Sequence, residues 1–138
     1  MKEKLTLLKP KNVIESYDIE SISFIDNELS ITLSSSNNNK QKIKASFGGI
    51  TFAYKYSKNY ECLCHSHYDN LQSKDTCIHD NWSFFQVINS QHIQWLSTIS
   101  ITASDIHNLK HFIISSSSEK IEIFHPNEPK ITILNPIK

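Results

Sequence analysis

The side chains best equipped for chemistry crowd into one short stretch, Cys62-x-Cys64-His65-x-His67 followed by Cys77-x-His79. All three cysteines of the chain and three of its seven histidines fall there. Zinc takes four nitrogen or sulfur ligands in a tetrahedron and favours thiolate and imidazole, so six candidates in one segment suffice for a closed site. Cys62, Cys64, Cys77 and His79 are the set expected to hold a structural zinc. The spacing works against it, because structural motifs usually part paired ligands by roughly two to four residues and here each pair is parted by one. If Ser57 to His67 continues as a strand, Cys62 and Cys64 face one way while His65 and His67 face the other. A polar loop with buried thiols and exposed histidines is therefore the first reading, a structural metal the second. A catalytic metal comes last, since only Asp69, Asp75 and Asp80 lie near enough to act as its base.

Other chemistries find less. A cysteine nucleophile needs a base beside its thiol, and Cys64–His65 or Cys77–His79 supplies one only by adjacency, which along a strand points side chains apart. No Gly-x-Ser-x-Gly elbow, Walker loop or dinucleotide fingerprint is present. The chain has two glycines, Gly48 and Gly49, which leaves no phosphate-cradling loop. All fourteen of its cations are lysines, so the bidentate guanidinium fork for phosphate or guanine is missing. Fourteen acids balance them, and a neutral chain gains no affinity for nucleic acid or an anionic membrane from its overall charge. Tyr54, Lys55, Tyr56, Lys58 and Tyr60 are aromatic residues interleaved with lysine, as base stacking would need, but Tyr54 and Tyr56 share a face with Phe52 and read first as a core or interface stripe. Nucleic acid is thus not expected as a partner, nor a membrane, for want of a long apolar stretch.

The elements that must position these residues are mostly strands. Apolar residues recur with period two and are largely β-branched or aromatic. Ile19 to Ile25, a turn at Asp26-Asn27, and Leu29, Ile31 and Leu33 read as a hairpin. Lys42 to Phe47, Gly48-Gly49 and Ile50 to Tyr56 read as a second, with the glycines forming its turn or a bulge. Residues 57–81 lose all periodicity and form the longest irregular segment. Trp82 to Ile88 resumes as a strand, Asn89-Ser90 caps a short helix carrying Ile93, Trp95 and Leu96, and Leu109 to Ile114 pairs with Lys120 to Phe124 around a serine-rich turn. Pro126 and Pro129 then leave Lys130 to Leu134 as an edge strand. The expected fold is one α+β domain over 1–138, a predominantly antiparallel β meander with one short covering helix. His111 on its strand reads as a hydrogen-bonded structural residue, and Glu119, Glu122 and Glu128 as a solvated edge or acidic docking patch.

Three stretches carry a resemblance: Phe47-Gly48-Gly49-Ile50 leading into an aromatic strand; Phe84-Phe85-Gln86-Val87-Ile88-Asn89-Ser90-x-x-Ile93-x-Trp95-Leu96; and His111-Phe112-Ile113-Ile114 paired with Ile121-Glu122-Ile123-Phe124-x-Pro126-x-x-Pro129. In pattern and order, over roughly residues 20 to 134, they resemble small bacterial immunity proteins encoded beside polymorphic, contact-delivered toxins. The resemblance implies a cytoplasmic protein that is not an enzyme, has no cofactor, and neutralises a cognate toxin by binding it. Aromatic anchors with a rim of Ser, Asn and charge suit such a binder. The partner-binding residues are expected on the 57–81 loop, at Tyr60, Glu61, Asp69, Asp75 and Asp80. The second expectation is a small zinc-stabilised domain binding a protein or single-stranded nucleic acid through the same loop.

Overall fold

The computed structural model describes residues 4–11, 13, 17–35, 41–49, 53–58, 69–70, 83–96, 109–116 and 119–134. Among these residues the chain forms β1 (Lys4–Leu7), β2 (Tyr17–Ile25), β3 (Glu28–Ser35), β4 (Lys42–Phe47), β5 (Ala53–Lys58), β6 (Asp69–Asn70), β7 (Phe84–Ile88), α1 (Gln91–Leu96), β8 (Lys110–Ser115), β9 (Glu119–His125) and β10 (Lys130–Ile133). The described residues are predominantly antiparallel β with one short helix. Its strands make two sheets, ordered β5-β9-β8-β7-β1-β6 (sheet A) and β10-β4-β3-β2 (sheet B). Each contains three consecutive antiparallel neighbours, β7-β8-β9 in one and β2-β3-β4 in the other, and the short β1–β6 pairing is parallel. Among the described residues no helix is long and apolar enough to cross a membrane.

The β2–β3 hairpin turns at Asp26-Asn27 as expected, with φ of 53° and 63°. Positive φ at both central residues matches the right-handed twist of the flanking strands, and Asp and Asn tolerate it better than other non-glycine residues. Within β2 the register slips between Ile19 and Ser21, leaving Glu20 as the extra residue of a β-bulge. The bulge reverses the alternation. Tyr17 and Ile19 face the core before it and Ile22 after it, which explains why no single period-two pattern runs through Ile19–Ile25.

The second expected hairpin does not form. β4 pairs with β3 and β10, while β5 pairs with β9 in sheet A, so Gly48-Gly49 begins a crossing between sheets. Gly49 sits at φ 79°, a backbone that favours glycine. His125 anchors the departure point: its Nε2–H donates to the Gly48 carbonyl at 2.7 Å, its Nδ1 accepts the Asn127 N–H, and its ring meets Phe47 edge-on.

The core lies between the sheets. Leu29, Ile31, Leu33, Ile43, Ala45 and Phe47 from sheet B meet Phe84, Phe112, Ile114, Ile121 and Ile123 from sheet A in one cluster, with the Phe47 and Phe112 rings 5.8 Å apart. At its end, Ser83, just ahead of β7, clasps the start of β2. Its hydroxyl donates to the Tyr17 carbonyl at 3.1 Å and accepts the Tyr17 N–H at 2.7 Å, both groups being buried.

Candidate functional site

The central strands of sheet A, β7, β8 and β9, bury residues on both faces. On the face away from sheet B, Leu7, Phe85, Ile113, Glu122 and Lys55 stand in one cross-strand row, and Leu5, Val87, His111 and Phe124 in the next. His111 and Glu122 are therefore diagonal neighbours across the β8–β9 ladder, within reach of long side chains. His111 Nε2 lies 2.9 Å from Glu122 Oε1, and Nδ1 lies 2.8 Å from the Ser90 hydroxyl. All three residues are buried. Ser90 ends the turn that leaves β7 through Asn89, which has φ 60°, and it is the N-cap of α1: its Oγ accepts the Ile93 N–H at 3.2 Å.

Burial alone would push the Glu122 carboxyl up. The hydrogen bond from His111 and the charges of Lys120, His111 and Lys55 outweigh it and hold the carboxyl down at about 2. Lys120 Nζ is 3.8 Å from Glu122 Oε2. An ionised carboxylate only accepts, so the His111 Nε2–H donates to it, while Nδ1 shares a hydrogen bond with the Ser90 hydroxyl. Ser90, which also accepts the Ile93 N–H, His111 and Glu122 thus form one hydrogen-bonded chain that ties the helix start to the middle of sheet A.

Above it runs an aromatic ladder. The His111 and His92 rings each lie 4.4 Å from that of Phe124, His92 stacking nearly parallel to it, and Trp95 meets His92 edge-on at 5.4 Å. His92 and Trp95 are three residues apart on α1 and so share a face. Trp95 nevertheless keeps 55 % of its surface in solvent, and Ile88 at the end of β7 is also exposed. Between α1, the end of β7 and the start of β8 lies a cleft of about 300 Å³, with apolar walls of Val87, Ile88, Ile93 and Leu109, polar groups from Gln86, Asn89 and Gln94, and Lys110. The corner thus offers a recess and, on the same short helix, a half-exposed aromatic side chain.

This differs from the site expected on the 57–81 loop. Tyr60, Glu61, Asp75 and Asp80 lie outside the described residues, as do Cys62, Cys64, Cys77 and His79. Asp69 is described only in its backbone, as the β6 residue paired with Lys4 of β1. Among the described residues no three His, Cys, Asp or Glu side chains gather as a metal-binding group. Glu122 is a correction: it is buried and paired with His111, where a solvated edge was expected. His111 is the hydrogen-bonded structural histidine its strand position suggested. The lysine-flanked Tyr56 is exposed on edge strand β5 and donates its hydroxyl to Glu119.

Neither family models, curated proteins nor solved structures match this chain.

Proposed function

We propose that this chain is a protein-binding module that acts by occupancy rather than turnover, an immunity protein that binds and neutralises a cognate bacterial toxin in the cytoplasm. The observation that carries the reading is Trp95, a large aromatic left half-exposed on α1 while its ring is braced on His92, which in turn stacks on Phe124. Tryptophan is among the residues most often found to dominate binding energy, and an anchor fixed before encounter loses less entropy on docking. Ile88 and the cleft walls supply the apolar centre, with Asn89, Gln94 and Lys110 as its polar rim. The α+β meander is the scaffold beneath it. The acidic loop residues Asp69, Asp75 and Asp80, with Tyr60 and Glu61, form the second part of the proposed surface.

Co-expression with the product of the adjacent gene tests this. A complex and rescue of growth are expected, with Trp95→Ala weakening the complex by roughly tenfold to a hundredfold, as hot-spot residues do. Charge reversal of the three aspartates tests the loop. Failure to form a complex or restore growth would refute the immunity reading, and a complex indifferent to Trp95 would remove the α1 corner from it.

A further inference from the structure

We infer that the cleft between α1 and the β7–β8 ends receives an apolar–acidic segment of the partner protein, an apolar side chain filling it while a neighbouring carboxylate meets Lys110. The inference rests on the reading of the chain as a protein-binding module and names the chemistry that its α1 corner selects.

The cleft forms where three elements meet. β7 stops at Ile88, the positive φ of Asn89 turns the chain, and Ser90 caps α1, whose Ile93 and Gln94 form one wall. β8 runs antiparallel beside β7, with His111 opposite Val87, and its approach brings Leu109 and Lys110 to the other wall. Ser90 and His111 also line the cleft, both are buried, and their side chains are joined at 2.8 Å. One of them begins α1 and the other lies on β8, so that bond ties the two walls together. A recess whose walls are fixed before encounter loses less entropy when it is filled. Its volume of about 300 Å³ is at the lower end of ligand pockets, room for one side chain and the backbone on either side of it.

Charge decides what accompanies that side chain. Lys110 is the one lysine lining the cleft, it is exposed, and among the described residues no aspartate or glutamate lines it. Lys4, also exposed, stands directly opposite Ile88 across the β1–β7 ladder, which sets the two Cβ atoms about 5 Å apart. The acids closest by register lie elsewhere. Asp69 pairs with Lys4 on the side away from Ile88, and Glu122 is buried against His111. An apolar recess edged by lysine attracts an apolar group that has a carboxylate beside it and disfavours one that has a cation there. This polarity is opposite to that of the proposed loop surface with its Asp69, Asp75 and Asp80. A partner that engages both parts therefore carries a basic region for the loop and an apolar–acidic segment for the cleft.

The test is amide NMR titration of the full chain with the peptide acetyl-Gly-Leu-Asp-Asp-Gly-amide, its Leu-Lys-Lys counterpart, its Ser-Asp-Asp counterpart, and isovalerate as a free apolar carboxylate. The Leu-Asp-Asp peptide should shift residues 86–90 and 109–111 and bind on the order of fivefold tighter than the Leu-Lys-Lys peptide at low salt, the gap closing as salt rises. The Ser-Asp-Asp peptide should bind more weakly, and Lys110→Glu, an exposed substitution, should reverse the order of the two charged peptides. Absence of shifts at the cleft, equal binding of the charged peptides, or an order unchanged in Lys110→Glu would overturn the inference. Isovalerate binding as tightly as the Leu-Asp-Asp peptide would make the occupant a small molecule and overturn it as well. A complex with the adjacent gene product that is undiminished by Lys110→Glu would remove the cleft chemistry and leave the immunity reading standing. Peptide binding as expected with no such complex would refute immunity and leave the selectivity of the cleft in place.

Discussion

Substituting Glu122 by glutamine isolates the charge at the end of the Ser90–His111–Glu122 chain. The Glu122 carboxyl titrates at about 2 in the folded protein, against an ordinary value of 4.5, because its bonded and charged neighbours overcome its burial. One pKa unit corresponds to ~1.4 kcal/mol, so ionised Glu122 contributes on the order of 3 kcal/mol. The folded value lies below the unfolded one, so the unfolded chain binds the extra proton in between. This contribution is complete above about pH 5, shrinks as pH falls, and is gone below about pH 2. Glutamine still accepts the His111 Nε2–H but keeps none of the attraction to Lys120 and Lys55. Urea unfolding of both proteins at several pH values between 7 and 2, followed by circular dichroism, measures the difference directly. The wild type should be more stable by up to about 3 kcal/mol at pH 7, and the two stabilities should converge near pH 2. Parallel pH profiles, offset equally throughout, would refute the assignment of Glu122 as the ionised anchor.

Two further outcomes follow from the geometry. Ser83→Ala deletes both buried hydrogen bonds of the clasp on Tyr17 and should cost ~1–3 kcal/mol in chemical unfolding, more than a surface serine would. Metal analysis of protein purified without chelator decides the Cys62, Cys64, Cys77 and His79 proposal: about one zinc per chain is required by it, and its removal should then lower the unfolding midpoint.

Hairpins whose turn chemistry is local were legible in the sequence. Asp26-Asn27 tolerates the two positive φ values its turn demands, the β8–β9 pair follows from a serine-rich turn between apolar runs, and Ser90 caps α1 where the cap was placed. Gly48-Gly49 shows the limit. Two glycines permit a sharp change of direction, but whether the chain returns beside β4 or leaves for the other sheet depends on partners far along the chain, β10 and β9. Four residues, Lys4–Leu7, were too short for periodicity to mark as a strand. The polar chain beneath α1 joins residues 21 and 11 positions apart, so no local motif marks it. One signal was present: a charged residue amid the apolar Ile121, Ile123 and Phe124, which the β8–β9 register places diagonal to His111. The expected 57–81 interface falls almost wholly outside the described residues.

The crossing at Gly48-Gly49 also orders events during synthesis. β2, β3 and β4 leave the ribosome as a contiguous unit, but the strand that completes sheet B beside β4 begins only at Lys130. Until then β4 is an open edge, and open edges are where nascent chains join one another. The β4 sequence Lys-Ile-Lys-Ala-Ser-Phe puts a lysine at alternate positions, Lys42 and Lys44, along that edge. In the finished protein Lys44 stands opposite Thr132 of β10, and Lys42 reaches Glu20. Two residues that look like ordinary surface charge in the native state thus place positive charge along that edge while roughly eighty residues remain to be made.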